Sequence, residues 1–280
     1  MLWSVMALRT AIQGQEASFH DIAARQIYGE NIDIVPCETF ASTFAALSSG
    51  EADQAVVAIE NSLFGSINEI YDLLLKHRFW ICGEVYLRVE QCLIGLQGAS
   101  LQKITEVHSH PVALAQCEDF LDKKLPQAKR FESHDTASSV VEVKQWGDPT
   151  KAAIGSAAAA KLHGLKILAR EIETNKQNYT RFVVLQKNKK SIEGTDKTSL
   201  VLVTSHQPGS LHKALGVFAK RGINLSKLQS RPIIGQAWHY MFYVDVEVGN
   251  GTKLADSLAD LKQQDCEATV LGSYKSGQKA

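Results

Sequence analysis

A chain of 280 residues with 45% hydrophobic content is long enough to bury a sizeable core, as one large domain plus a small one or as two lobes plus a small domain. Its 30 Lys and Arg balance 30 Asp and Glu, so charge makes no case for a nucleic-acid or membrane partner, and no apolar run approaches the roughly 20 residues that span a bilayer. Five scattered cysteines (Cys37, Cys82, Cys92, Cys117 and Cys266) form no C-x-x-C pair, which fits reduced thiols of a cytoplasmic protein better than a disulfide framework or a zinc site. His108 and His110 have no matching carboxylate or cysteine cluster, so no metal is expected. Residues 1–10 carry no charged-then-apolar export pattern, and Met6 is an alternative start with 1–5 as an extension.

From the N-terminus, a strand over 7–13 ends in Gly14-Gln15-Glu16-Ala17-Ser18 and passes into a helix over 19–28. Such a turn can receive an anion at the helix N-terminus. The glycines of a dinucleotide or P-loop fingerprint are missing, so neither NAD nor ATP is indicated. A strand over 32–36 and a helix over 39–48 closed by Gly50 follow, then an apolar strand over 53–59. Alternating strands and helices argue for a parallel sheet flanked by helices. The third strand runs into Glu60-Asn61-Ser62, then Gly65-Ser66 and a helix over 67–76. Polar groups at a strand's C-terminal end stand where open α/β sheets place ligands. Ser62 or Ser66 also reads as a plain helix cap, and the two roles are compatible.

A β-rich stretch over 80–96 leads to a second lobe that repeats the pattern. Val107 precedes Ser109-His110-Pro111 and a helix over 112–121 carrying Gln116. Phe131 precedes His134-Asp135-Thr136 and a helix over 137–145. A strand over 152–155 and an Ala-rich helix over 156–162, ended by Gly164, complete it. His110 before a proline reads equally as a general base or as a capping histidine. The polar loop 173–177 then opens Asn178-Tyr179-Thr180-Arg181-Phe182, at the mouth of a strand continued by Val183-Val184-Leu185. A hydroxyl beside a guanidinium suits an anionic substrate, although polar residues also begin many ordinary strands. Helix N-termini facing one cleft supply free N–H groups for an anion, so a small anionic metabolite between two α/β lobes is the expected ligand. After a charged linker, a strand over 199–204, a helix over 211–220, strands over 225–230 and 239–248, a helix over 254–262 and a strand over 268–271 spell the ferredoxin-like βαββαβ order.

On these motifs the chain resembles monofunctional prephenate dehydratases with a C-terminal ACT regulatory domain. The residues carrying the resemblance are Ile59-Glu60-Asn61-Ser62 with Gly65, Ser109-His110-Pro111 with Gln116, Asp135-Thr136-Ala137, and above all Asn178-x-Thr180-Arg181-Phe182. Lys197-Thr198-Ser199-Leu200, Pro208-Gly209-Ser210-Leu211 and Ser230-Arg231-Pro232 carry it in the C-terminal part. The resemblance implies a fold of two Rossmann-like lobes with a cleft between them, of the periplasmic-binding-protein kind, plus the ACT domain. Its catalytic domain would span 7–187, with lobe 1 at about 7–83 and 172–187 and lobe 2 at about 84–171. A linker over 188–196 and the ACT domain over 197–280 would follow.

The implied reaction is the loss of CO2 and water from prephenate to give phenylpyruvate, in phenylalanine biosynthesis and without a cofactor. Thr180 is implied as the catalytic residue, a positioned hydrogen-bond donor to the departing oxygen. Glu60, Asn61, Ser62, Ser109, His110, Gln116, Thr136, Asn178, Arg181 and Phe182 are implied as substrate-binding residues. Glu60 would either keep the ring carboxylate poorly stabilised or buttress the loop. Phenylalanine, the implied feedback inhibitor, would bind between paired ACT domains at Gly209, Ser210, Leu211, Asn224, Leu225, Ser230, Arg231 and Pro232, in a homodimer or homotetramer. The chain departs from the family pattern at Gly14-Gln15-Glu16-Ala17-Ser18, at His134 where some relatives carry glutamate, at Gln229 in place of a glutamate, and at Ser210 in a G-A-L motif. Arogenate dehydratase, and a non-catalytic amino-acid-responsive binding protein, are the alternatives.

Overall fold

The computed structural model describes residues 7–189 and 192–278; the alternative start at Met6, part of the linker and the last two residues of the expected ACT domain lie outside them. The first lobe begins with β1 (Leu8–Gln13), α1 (Phe19–Tyr28), β2 (Ile32–Cys37), α2 (Phe40–Ser49) and β3 (Gln54–Asn61). A two-residue strand β4 (Gly65–Ser66), α3 (Asn68–His77) and β5 (Trp80–Arg88) follow. The helices start where the sequence offers side-chain caps. Ser18 accepts the Asp21 N–H, and Thr39 and Ser42 form a reciprocal capping box. At their ends Gly29 and Gly50 take the positive φ that a side chain would resist. β1 pairs in parallel with both β2 and β3.

The second lobe holds β6 (Cys92–Gly95), β7 (Glu106–Ser109), α4 (Pro111–Gln116), α5 (Glu118–Lys124), β8 (Lys129–Glu132), α6 (Thr136–Trp146), β9 (Lys151–Gly155), α7 (Ala157–His163) and β10 (Lys166–Ala169). Its sheet order is β10-β6-β9-β7-β8. Two features differ from the sequence reading. The stretch over 80–96 is not one ribbon but two strands, β5 and β6, in different sheets. The helix expected over 112–121 breaks at Cys117, because the Gln116 carbonyl leaves the helical ladder to accept the Thr174 N–H at 2.8 Å. The chain then returns as β11 (Tyr179–Gln186), which inserts between β3 and β5 to give the first sheet the order β2-β1-β3-β11-β5.

The C-terminal elements are β12 (Lys197–Thr204), α8 (Ser210–Lys220), β13 (Leu225–Pro232), β14 (Tyr240–Val246), α9 (Thr252–Gln263) and β15 (Cys266–Tyr274). The antiparallel sheet β13-β14-β12-β15 packs with α8 and α9 around Leu200, Leu202, Val217, Phe218, Val244 and Leu261, the βαββαβ arrangement read from the sequence. By contact density the chain divides into two compact units, one of 7–70 with 86–182 and one of 71–85 with 183–278. Within the second, Tyr243 donates its hydroxyl to the Tyr71 carbonyl at 2.8 Å, Arg231 pairs with Asp72 at 2.6 Å, and Lys197 forms a buried ion pair with Glu84.

Candidate active site

Four helix starts and several strand ends of the first unit surround a cavity of about 430 Å³, within the range of small-molecule sites. Ser18 and Phe19 come from the start of α1, Ser66 and Ile67 from that of α3, His110 and Val112 from that of α4, and Asp135 and Thr136 from that of α6. Gln13, Asn61, Thr180 and Phe182 come from strands β1, β3 and β11. Among the described residues lining it, none is Lys or Arg and Asp135 is the one carboxylate. That carboxylate caps α6, accepting the Ala137 and Ser138 N–H groups at 2.8 Å each. Positive potential for an anion therefore comes from helix N-termini and neutral donors.

Thr180 stands at the centre of a closed hydrogen-bond set. Its Oγ1 accepts from Asn61 Nδ2 at 3.0 Å, and the other hydrogen of the same amide goes to Asn178 Oδ1 at 2.8 Å. Asn61 Oδ1 accepts the Leu63 and Phe64 N–H groups at 3.0 and 3.1 Å. Both donors and both acceptor positions of the Asn61 amide are thus committed, so it serves Thr180 and the loop rather than a ligand. With Asn61 donating to the Thr180 oxygen, the Thr180 hydrogen is not used by this set and is available to donate to a ligand in the cavity that Thr180 lines.

Two histidines line the cavity as neutral rings. His110 caps α4 with Nδ1, accepting the Val112 N–H at 3.2 Å, which leaves its hydrogen on Nε2. Burial lowers its pKa, with Asp135 opposing. His20, which the sequence reading did not select, accepts the Ala58 N–H through Nε2 at 3.2 Å and meets Phe182 edge-on at 5.0 Å. Part of its ring opens on the cavity, but the surrounding protein still desolvates it, and its pKa falls from 6.5 to about 4 against the pull of Asp135. The fold favours neutral His20, so below pH 6.5 the unfolded chain binds more protons than the native one. Stability is expected to be full above pH 6.5 and to decline as the pH falls towards 4, by at most about 3 kcal/mol. Urea unfolding at about pH 7.5 and about pH 4.5 checks this, and His20→Gln should remove that part of the slope.

Other candidate residues fall elsewhere. Side chains alternate along a strand, so Thr180 and Phe182 share the cavity face of β11 while Arg181 points away from it. The Arg181 guanidinium is 4% exposed and lies 3.9 Å from Glu60, which is likewise outside the lining. Ser62 ties the β11 entry down, donating to the Gln177 carbonyl and accepting the Tyr179 N–H, both at 2.9 Å. Ser109 is fully buried and donates to the Ile154 carbonyl at 2.8 Å. Asn178 is fully buried and reaches the cavity only through Asn61. Gln116, His110, Thr136, Asn61, Thr180 and Phe182 are the candidates that line it. His134 stands in an adjoining hollow with Gln15, Cys37 and Glu38, 3.6 Å from Asp135.

In the second unit, Ser210 and Leu211 line a hollow of about 330 Å³ with Pro208, His206, Tyr240 and Phe242, and Gly209 begins α8 at φ 81°. Ser230, Arg231 and Pro232 end β13, and Arg231 is held by Asp72. Asn224 and Leu225 stand at the opposite end of that strand, where Asn224 donates to Glu247 at 3.0 Å.

A two-lobed α/β fold whose cleft gathers helix N-termini around a fixed hydroxyl, followed by a ferredoxin-like domain, defines a protein with a small-molecule-sized cavity and an appended βαββαβ domain. The prephenate dehydratase family model matches residues 10–190, and the ACT domain model matches residues 198–262. Arogenate dehydratase 2 of Petunia hybrida is 40% identical over 287 residues, covering 96% of this chain and 72% of the relative. Among solved structures, the one described as GqqA, a novel type of quorum quenching acylase, superposes with a TM-score of 0.87 at 34% identity over 96% of this chain and 98% of its own. The prephenate dehydratase of Arthrobacter aurescens in complex with L-Phe superposes with a TM-score of 0.86 at 30% identity, over 96% and 90%. The chain belongs to the prephenate dehydratase family, whose members here include prephenate and arogenate dehydratases, and it carries a C-terminal ACT domain.

Proposed function

We propose that residues 7–187 catalyse the decarboxylating dehydration of prephenate to phenylpyruvate, and that the ACT domain, from 197, senses phenylalanine. The observation that carries this is the Thr180 hydroxyl, held by a saturated Asn61 on the lining of a cavity that has no Lys or Arg among its described residues. In the reaction the electrons of the ring–carboxylate bond flow into the ring as CO2 departs, and the ring C–O bond breaks on the far side. One proton is taken up, and the oxygen leaves as water. The gain of aromaticity supplies the driving force, so the protein has to orient the ring and hydrogen-bond the departing oxygen. Thr180 supplies that bond. The α1 and α3 N-termini, the neutral donor His110 and the Gln116 amide hold the carboxylates.

Arogenate differs by an ammonium in place of the keto oxygen. The one lining carboxylate, Asp135, is already engaged by α6 and by the Ser138 hydroxyl, which favours the keto acid. Acyl cleavage, the activity named for GqqA, uses a nucleophile bonded to a base when it runs through a covalent intermediate. Among the described residues, no hydroxyl of the lining is bonded to His20 or His110, whose acceptor nitrogens take backbone N–H groups.

The test is a cofactor-free assay of the purified protein with prephenate and, separately, with arogenate, each with and without millimolar phenylalanine. Phenylpyruvate from prephenate, slowed by phenylalanine, is the expected result. Turnover of arogenate alone would shift the substrate assignment, and turnover of neither would leave the amino-acid-responsive binding protein. Full activity in phenylalanine, with no heat of binding by calorimetry, would remove the regulatory assignment.

A further inference from the structure

Gln91 lies between β5 and β6, is 2% exposed, and lines the cavity without belonging to any motif of the sequence. Its backbone N–H donates to Glu173 Oε2 at 2.9 Å. The Glu173 side chain is fully buried and has Arg88 at 3.4 Å and Lys176 at 3.8 Å as its cations. From that anchored position Gln91 Nε2 donates to Gln116 Oε1 at 3.1 Å. The neighbouring Thr174 N–H takes the Gln116 carbonyl at 2.8 Å, the bond that breaks the helix there. Both the backbone and the side chain of Gln116 are therefore set by groups in or fastened to the 171–174 segment.

A primary amide can present either oxygen or NH2 to a ligand, and the two ends have opposite preferences for an anion. With Oε1 taken by Gln91, the NH2 of Gln116 is the end left for a ligand in the cavity it lines. With no Lys or Arg among the described lining residues, that NH2 is a donor suited to a carboxylate. Gln91 Oε1, meanwhile, is buried without a partner among the described residues. Burying that oxygen carries a cost that a hydrocarbon of similar size would avoid.

We infer that Gln91 is a positioning residue for the dehydratase reaction, holding the Gln116 amide with its NH2 towards a substrate carboxylate. The inference rests on the function proposed above. The test is a double-mutant cycle of Gln91→Leu and Gln116→Leu, with kcat, KM and thermal midpoint measured for each. Gln91→Leu is expected to raise KM about 5- to 10-fold with kcat within about 2-fold, and to leave the midpoint equal or higher. In the Gln116→Leu background the same change should alter KM by less than about 2-fold, because the residue it orients is gone.

Gln91→Glu gives a second handle with nearly the same shape. Where it is ionised a carboxylate only accepts, so above the pKa of the new acid it should draw the Gln116 NH2 to itself and raise KM further than Leu does, while at lower pH the protonated acid can donate as Gln91 does. This effect too should vanish with Gln116→Leu, whereas simple charge repulsion would persist. Multiplicative effects of the two positions on KM would overturn the inference. So would a lowered midpoint with KM unchanged, the mark of a packing role. If the unaltered protein turns over neither prephenate nor arogenate, the functional reading fails first and takes this inference with it; normal turnover with an additive cycle removes the inference alone.

Discussion

Replacing Thr180 with Ala is expected to lower kcat by about 10²- to 10³-fold, on the order of 2.7–4 kcal/mol of transition-state stabilisation. The change deletes one hydroxyl whose oxygen is fixed at 3.0 Å from Asn61 and whose hydrogen is left for the departing oxygen. Because that oxygen gains charge only as its bond to the ring breaks, the loss should fall on kcat, with KM within a few-fold. Thr180→Ser keeps the hydroxyl and its partner, and should retain activity within about 10-fold, since it adds only rotamer freedom. Steady-state assays of the two variants check this. A Thr180→Ala enzyme with undiminished kcat would mean that the leaving group departs without help from this hydroxyl.

The second large effect is expected on stability. Glu84 and Lys197 have side chains 0% and 4% exposed and meet through two bonds of 2.9 and 3.0 Å, while the Gly277 N–H adds a third contact to Glu84 at 3.1 Å. Removing either partner strands a charge out of water, so Glu84→Ala or Lys197→Ala should cost about 3–5 kcal/mol of unfolding free energy. The pair as a whole contributes far less than this, because bringing both charges out of water offsets most of their attraction. Glu84→Leu combined with Lys197→Met should therefore fold with stability close to that of the unaltered chain. Urea unfolding of the single and double variants distinguishes the cases. Equal losses in the single and double variants would show that packing volume, not charge, matters there.

Most of the fold is legible because its local signals agree. Ser18, Thr39, Asp135 and Ser156 cap helices that the apolar spacing already suggests, and Gly29, Gly50, Gly147 and Gly164 end them in positive φ. The family was legible too, because its motifs follow one another in order. The site was less so, since what a side chain faces depends on partners distant in sequence. The motif sets Arg181 beside Thr180, but the two-residue period of β11 puts the guanidinium on the other face, with Glu60. The period was available in the sequence; which parity faces the cavity was not. His20 and Gln91 carry no motif, and only the folded chain brings them to the cavity. The break at Cys117 is of the same kind, for α4 and α5 form one continuous pattern until a loop residue more than fifty positions away claims a carbonyl.

The insertion of β11 between β3 and β5 has a bearing on how the chain is made. When β5 has emerged from the ribosome, β1, β2 and β3 can pair, but the slot beside β3 stays unfilled until about a hundred further residues have been added. At roughly 5–20 residues per second, that leaves an open strand edge for about 5–20 s, while the second lobe, continuous from β6 to β10, emerges. The strand that closes the gap is the one bearing Thr180, so the hydroxyl proposed to act reaches its place in the step that completes the first sheet, and a nascent chain cut short of it would hold a half-built sheet and a cleft without that hydroxyl.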